Sequence, residues 1–198
     1  MGMETHDGGG EEKVSRPAQS GDLKQICAEL NRLGARYVVV GGFAIIQCGF
    51  QRFTQDIDLL IETTPENEAR VIEALLILPD KAARELKPGE VGDYGVVRVG
   101  DQVMVDRMKS GCGVTYADAI KDAVMGSLDG VQIPFASAST LWRMKQTARA
   151  QDIPDRIFLR QLLQDQGIQI EPVPAEDPLT RGWRRFRAWW KKTDEQEQ

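Results

Sequence analysis

Two aspartates one residue apart open the strand-like run Asp56-Ile57-Asp58-Leu59-Leu60-Ile61, and this pairing constrains the chain more than any other feature. Side chains alternate along a strand, so residues two apart share a face. Ile57, Leu59 and Ile61 then pack into a core while both carboxylates point the other way together. Anions held a few ångströms apart resist ionisation unless a cation or hydrogen-bond donors compensate. A divalent metal is the simplest compensation, and hard oxygen ligands suit Mg²⁺. Taken alone, an Asp-x-Asp pair is more often two solvated acids on a sheet edge, so its context has to decide.

Upstream, the β-branched run Tyr37-Val38-Val39-Val40 reads as a buried strand that meets Gly41-Gly42 and then a short helix from Phe43 to Cys48. Glycines let a backbone approach a phosphate, and a helix N-terminus offers free N–H groups and a positive dipole end. A phosphate cradle would therefore precede the acid pair by one short helix. Alone, two glycines are a tight turn more often than a site. Downstream, Asp106 closes the apolar run Val103-Met104-Val105, where it can face the same side if the two strands are neighbours. Three such carboxylates can bridge two metals, one beside an attacking hydroxyl and one beside the leaving oxygen.

The rest of the chain supplies the frame. The 198 residues, 41% hydrophobic and 28% charged, fit one globular domain with tails. Residues 1–19, with Gly8-Gly9-Gly10 and few apolar groups, are expected to be disordered. Residues 20–170 form the domain. An amphipathic helix is expected from Asp22 to a stop at Gly34, and another behind Thr64-Pro65, where Thr suits the cap and Pro the first turn. Val96–Val99 and Val103–Val105 read as two strands joined through Gly100-Asp101, and Val131–Phe135 as another. Helices are expected over 116–124, 139–150 and 157–163. Strands and helices mixed in this way predict α/β packing, a small mixed sheet flanked by helices.

Composition removes several function classes. His6, within the glycine-rich start, is the only histidine, which argues strongly against Ser-His-Asp and Cys-His chemistry. Cys27, Cys48 and Cys112 are scattered and match no zinc spacing. A net charge of -5 is wrong for a general nucleic-acid binder, so any such contact would be local. The first residues hold no basic region followed by an apolar stretch, and no apolar run is long enough to span a bilayer; a cytoplasmic location is expected.

The segment Val40-Gly41-Gly42-Phe43-Ala44 through Arg52-Phe53-Thr54-Gln55-Asp56-Ile57-Asp58-Leu59-Leu60 resembles the signature of the DNA polymerase β-type nucleotidyltransferase superfamily. That signature has an apolar residue, Gly-Gly or Gly-Ser, a spacer, Asp-x-Asp, and later a lone acid after an apolar run. Thirteen residues (43–55) separate Gly42 from Asp56. The Gly-Gly-x-Ala and Arg-x-Thr-x-Asp-x-Asp details are most similar to the AbiEii-like bacterial branch of type IV toxin–antitoxin systems. Leu141-Trp142-Arg143-Met144-Lys145 and Arg149-Ala150-Gln151-Asp152-Ile153-Pro154-Asp155 are similar to that branch's closing helix, with Gln151 where a Lys is common and Pro154 between the two acids.

The resemblance implies a nucleotidyltransferase fold in which Asp56, Asp58 and Asp106 are catalytic and bind two Mg²⁺ ions, with Mn²⁺ an alternative. It implies that Gly41 and Gly42 hold the triphosphate and that Lys145 contacts nucleotide phosphates. Arg52 and Thr54 complete the nucleotide-binding set, most simply by fixing the Asp-x-Asp strand, Arg52 through a salt bridge to a site carboxylate. Asp152 and Asp155 are left open, since a helix cap explains either one. The implied partners are an NTP such as ATP, an acceptor hydroxyl on RNA (a tRNA end) or protein, and an antitoxin protein.

One further segment stands apart. After the Pro-rich linker with Pro172, Pro174 and Pro178, residues 181–192 hold three of the four tryptophans and six basic residues. Trp183, Phe186 and Trp190 fall on one face of a helix. Docking on the domain or a second subunit, RNA binding, and a membrane or protein partner all fit this C-terminal helical extension.

Overall fold

The computed structural model of the protein describes residues 15–170. The glycine-rich start before residue 15, and the Pro-rich linker and basic aromatic helix expected within 171–198, lie outside the described residues.

In chain order the elements are α1 (Ser20–Arg32), β1 (Tyr37–Val39), α2 (Gly41–Gln47), β2 (Asp56–Ile61), α3 (Pro65–Leu75), α4 (Glu90–Tyr94), β3 (Val96–Gly100), β4 (Met104–Met108), β5 (Ser110–Gly111), β6 (Val114–Thr115), α5 (Tyr116–Ala119), β7 (Val124–Leu128), β8 (Val131–Phe135), α6 (Ala138–Met144) and α7 (Ile153–Asp165). Six strands form one mixed sheet in the order β3-β4-β2-β1-β8-β7, and β5 and β6 make a separate small hairpin. The β1/β2, β3/β4 and β7/β8 pairs are antiparallel; β2/β4 and β1/β8 are parallel. The expected α/β class, with a mixed sheet flanked by helices, is what is found.

The core explains the order. Val38, Val39, Ile57, Leu59, Leu60 and Ile61 are fully or almost fully buried at the centre of the sheet, with Leu23, Ile26 and Leu30 of α1 and Val71 and Leu75 of α3 packed into the same cluster. Consecutive Leu59-Leu60-Ile61 are all buried, so both faces of β2 are covered at its C-terminal half. Asp56 and Asp58, at its other half, remain partly exposed. The hydrophobic covering stops where the acids begin.

Four expectations need correction. Ordered structure begins before residue 20: Arg16 bridges to Val103, its amide donates to the Gln102 carbonyl at 3.0 Å, and its guanidinium clasps Asp22 in two bonds of 2.8 and 2.7 Å. Helix α1 starts at Ser20 rather than Asp22, because the Asp22 carboxylate turns back to accept the Gln19 amide at 2.8 Å. The helix expected over 116–124 ends at Ala119, and Val124 instead opens β7 against β8. The helix expected over 139–150 ends at Met144, since the following residues fold towards buried Asp152. Thr64 caps α3 through its side chain, as expected, with Pro65 in the first turn.

Candidate metal and nucleotide site

Strands β2 and β4 are parallel neighbours in a register that sets Asp58 directly beside Asp106. Asp56 lies two residues earlier on the same face. One carboxylate oxygen from each of Asp56, Asp58 and Asp106 falls within 4.8 Å of the others. Asp106 is central in β4, not at its end, and is buried. Burial first, then the charges of Asp56 and Asp106, push the Asp58 carboxyl up to about 7, against the opposing pull of Lys145 and of a hydrogen bond from the Gly42 amide. Three hard oxygen donors this close, one of them resisting ionisation, fit a divalent cation such as Mg²⁺.

The glycines stand against these acids. Gly41 has φ +60°, and a Cβ built on it would lie 1.8 Å from Asp58 Oδ2. At Gly42 a Cβ would lie 2.2 Å from Thr54 Oγ1. Any side chain at either position would move the acid strand or the loop before it. Gly41 and Gly42 open α2, so the N-terminal end of that helix faces the carboxylates.

The acids share a cleft of about 220 Å³ with Arg52, Lys145 and Arg149. Two buried carboxylates hold them there. Lys145 Nζ lies 2.8 Å from Asp152 and 3.0 Å from Asp155, and Arg52 Nη1 lies 2.5 Å from Asp155. Arg149 Nε reaches Asp152 at 3.0 Å, and the Thr147 hydroxyl donates to the same carboxylate. Burial opposes ionisation of Asp152, but the donors from Lys145, Thr147 and Arg149 outweigh it and hold the carboxyl below its usual range. Asp152 does begin α7, yet its side chain makes no cap bond. Its oxygens are engaged by the cations instead.

Arg98 is the residue that sequence reasoning missed. It pairs across the β3/β4 ladder with Asp106, and its guanidinium takes both oxygens, Nε to Oδ1 at 2.7 Å and Nη2 to Oδ2 at 2.6 Å. That pairing raises the Arg98 pKa. The signal was in the sequence. A hairpin joined through residues 101–103 sets Gly100 opposite Met104, and counting outwards sets Arg98 opposite Asp106.

The structure thus gathers Asp56, Asp58, Asp106, Gly41, Gly42, Arg52 and Lys145 around one cleft. Thr54 is the exception. It is buried beneath Gly42, does not line the cleft, and donates to the Asp56 carbonyl at 3.2 Å, so it braces the acid strand rather than facing a nucleotide. Arg52 makes the expected salt bridge, but to Asp155 and not to one of the three clustered acids.

No family model matches the chain, and no curated protein matches it. Among solved structures, it is similar to an antigenic nucleotidyltransferase-like protein from Paracoccidioides brasiliensis at 18% identity and a TM-score of 0.45, covering 74% of this chain and 78% of that one. No helix among the described residues is long and apolar enough to cross a membrane.

Proposed function

We propose that this protein is a metal-dependent nucleotidyltransferase, moving a nucleoside monophosphate from an NTP to an acceptor hydroxyl with release of pyrophosphate. One observation supports the reading: a carboxylate triad and three cations held by buried acids line a single cleft, with the glycine-opened helix end beside the acids. Asp56, Asp58 and Asp106 would hold two Mg²⁺ or Mn²⁺ ions, which supply Lewis acidity at the α-phosphate and lower the pKa of the attacking hydroxyl. Gly41 and Gly42 bring backbone close to the phosphates without a side chain in the way. Lys145, Arg52 and Arg149 neutralise the triphosphate and fix its orientation, and Asp152 and Asp155 keep those cations in place before the ligand arrives. Following the family resemblance, Asp106 would help take the proton of the acceptor hydroxyl, and its bond to Arg98 must then loosen.

The finer form of the proposal follows the AbiEii-like resemblance: an acceptor on RNA or protein, and a toxin-like role with an antitoxin. That form rests on analogy of sequence. The rival reading is a nucleotide-binding module without turnover, which the engagement of both Asp106 oxygens by Arg98 favours.

The test is incorporation of each α-labelled NTP into total RNA and lysate protein with Mg²⁺, for wild type and Asp58→Ala. Label transferred by the wild type and lost in the variant supports transfer and identifies the acceptor class. Nucleotide binding without transfer supports the rival reading.

A further inference from the structure

Arg98 lies on β3, an edge strand of the sheet, with its side chain 60% exposed. A long cation in that position usually stays solvated and contributes little through an ion pair. Here the β-ladder register leaves it beside Asp106, and the fork of the guanidinium fills both oxygens of a carboxylate that is itself only 9% exposed. On the other side of Asp106 stands Asp58. One carboxylate is therefore shared between an internal cation and an acid cluster of the kind that takes a divalent ion.

We propose that Arg98 is the internal counter-cation of this site: it occupies Asp106 while no divalent metal is bound, competes with metal for that carboxylate, and so sets the site's metal affinity. This rests on the reading of the triad as a metal site. A bidentate arginine uses the carboxylate lone pairs on the side facing it, and only the remaining positions stay open to a metal. A divalent cation entering the triad must displace the guanidinium or sit beside it against like-charge repulsion. Both routes weaken metal binding in the presence of Arg98.

The displaced side chain has somewhere to go. Arg98 lines the main cleft and also a second cleft of about 270 Å³, which Asp56, Arg16, Gln55 and Met104 line with it. It can swing towards solvent without disturbing the buried core. A polyphosphate arriving with the metal offers the freed guanidinium new oxygens, so metal and nucleotide bind cooperatively while metal alone binds weakly.

The contrary role would be a brace, in which Arg98 orients Asp106 to receive the metal. The two roles differ in sign. Mn²⁺ alone is titrated into the full chain at constant ionic strength, with the free ion followed by its electron paramagnetic resonance signal. Arg98→Gln is expected to bind Mn²⁺ about tenfold more tightly than wild type. Arg98→Lys, which keeps the charge but loses the fork, is expected to fall between them. Asp106→Asn should erase the gain when combined with Arg98→Gln. Equal or weaker binding by Arg98→Gln overturns the proposal and leaves the metal site standing. If the wild type and every variant bind no Mn²⁺, the metal reading fails and this inference fails with it.

Discussion

At Gly41 the chain leaves β1 in a left-handed conformation, hard against the Asp58 carboxylate. Gly41→Ala should cost about 2–3 kcal/mol in a urea melt, from backbone strain and from displacement of Asp58. Transfer activity should fall with it. Asp58 carries a prediction of its own. Its folded-state pKa, about 7, lies above the ordinary aspartate value of roughly 3.9, so its proton is held more tightly in the native state. The charge therefore costs no stability below about pH 4, and the cost grows as pH rises to about 7. In EDTA, Asp58→Asn should stabilise the protein on the order of 2 kcal/mol at pH 8 and much less at pH 5, read as the difference in melting temperature. A gain that is equal at both pH values would contradict the crowding of the three acids.

At the scale of elements, the stretch between α6 and α7 shows how an irregular segment is held by charge. The apolar pattern of Leu141, Trp142 and Met144 stops, and Lys145, Thr147 and Arg149 all turn towards Asp152. Asp155, in the first turn of α7, takes Lys145 and Arg52 together. Removing a buried partner leaves charges uncompensated, so Asp155→Ala should cost about 3 kcal/mol in chemical denaturation. It should also weaken nucleotide binding, because Lys145 and Arg52 lose a common anchor. This cluster was half legible. The sequence points Lys145 to nucleotide phosphates and Arg52 to a salt bridge with a site carboxylate, and leaves Asp152 and Asp155 open, because spacing does not reveal that two acids are buried. The short strand β7 escaped for another reason: Val-Met-Gly-Ser-Leu shows no clean alternation, and its exposed Val124 and Met125 give no apolar face. Its hairpin partner β8 follows Asp129-Gly130, a turn pair that would have announced it.

For the whole molecule, the sheet order is what makes the site. β1 sits between β2 and β8, and the parallel crossover from β2 to β4 brings in the third acid from far along the chain. The Gly-Gly turn, the Asp-x-Asp strand and the lone Asp106 were all legible, since each has a local chemical reason. Their convergence was an inference about topology, which no local pattern contains, and Arg98 entered only through strand register. On the proposed function, the acids and cations that line this cleft act on a single ligand. Calorimetric titration of a non-hydrolysable NTP analogue, with Mg²⁺ and with EDTA, tests this most directly in the wild type, Asp58→Asn and Lys145→Ala. Binding is expected to require Mg²⁺ in the wild type, to lose that requirement together with affinity in Asp58→Asn, and to be at least tenfold weaker in Lys145→Ala, about 1.4 kcal/mol. Equal affinity with and without metal, or variants indistinguishable from the wild type, would contradict it.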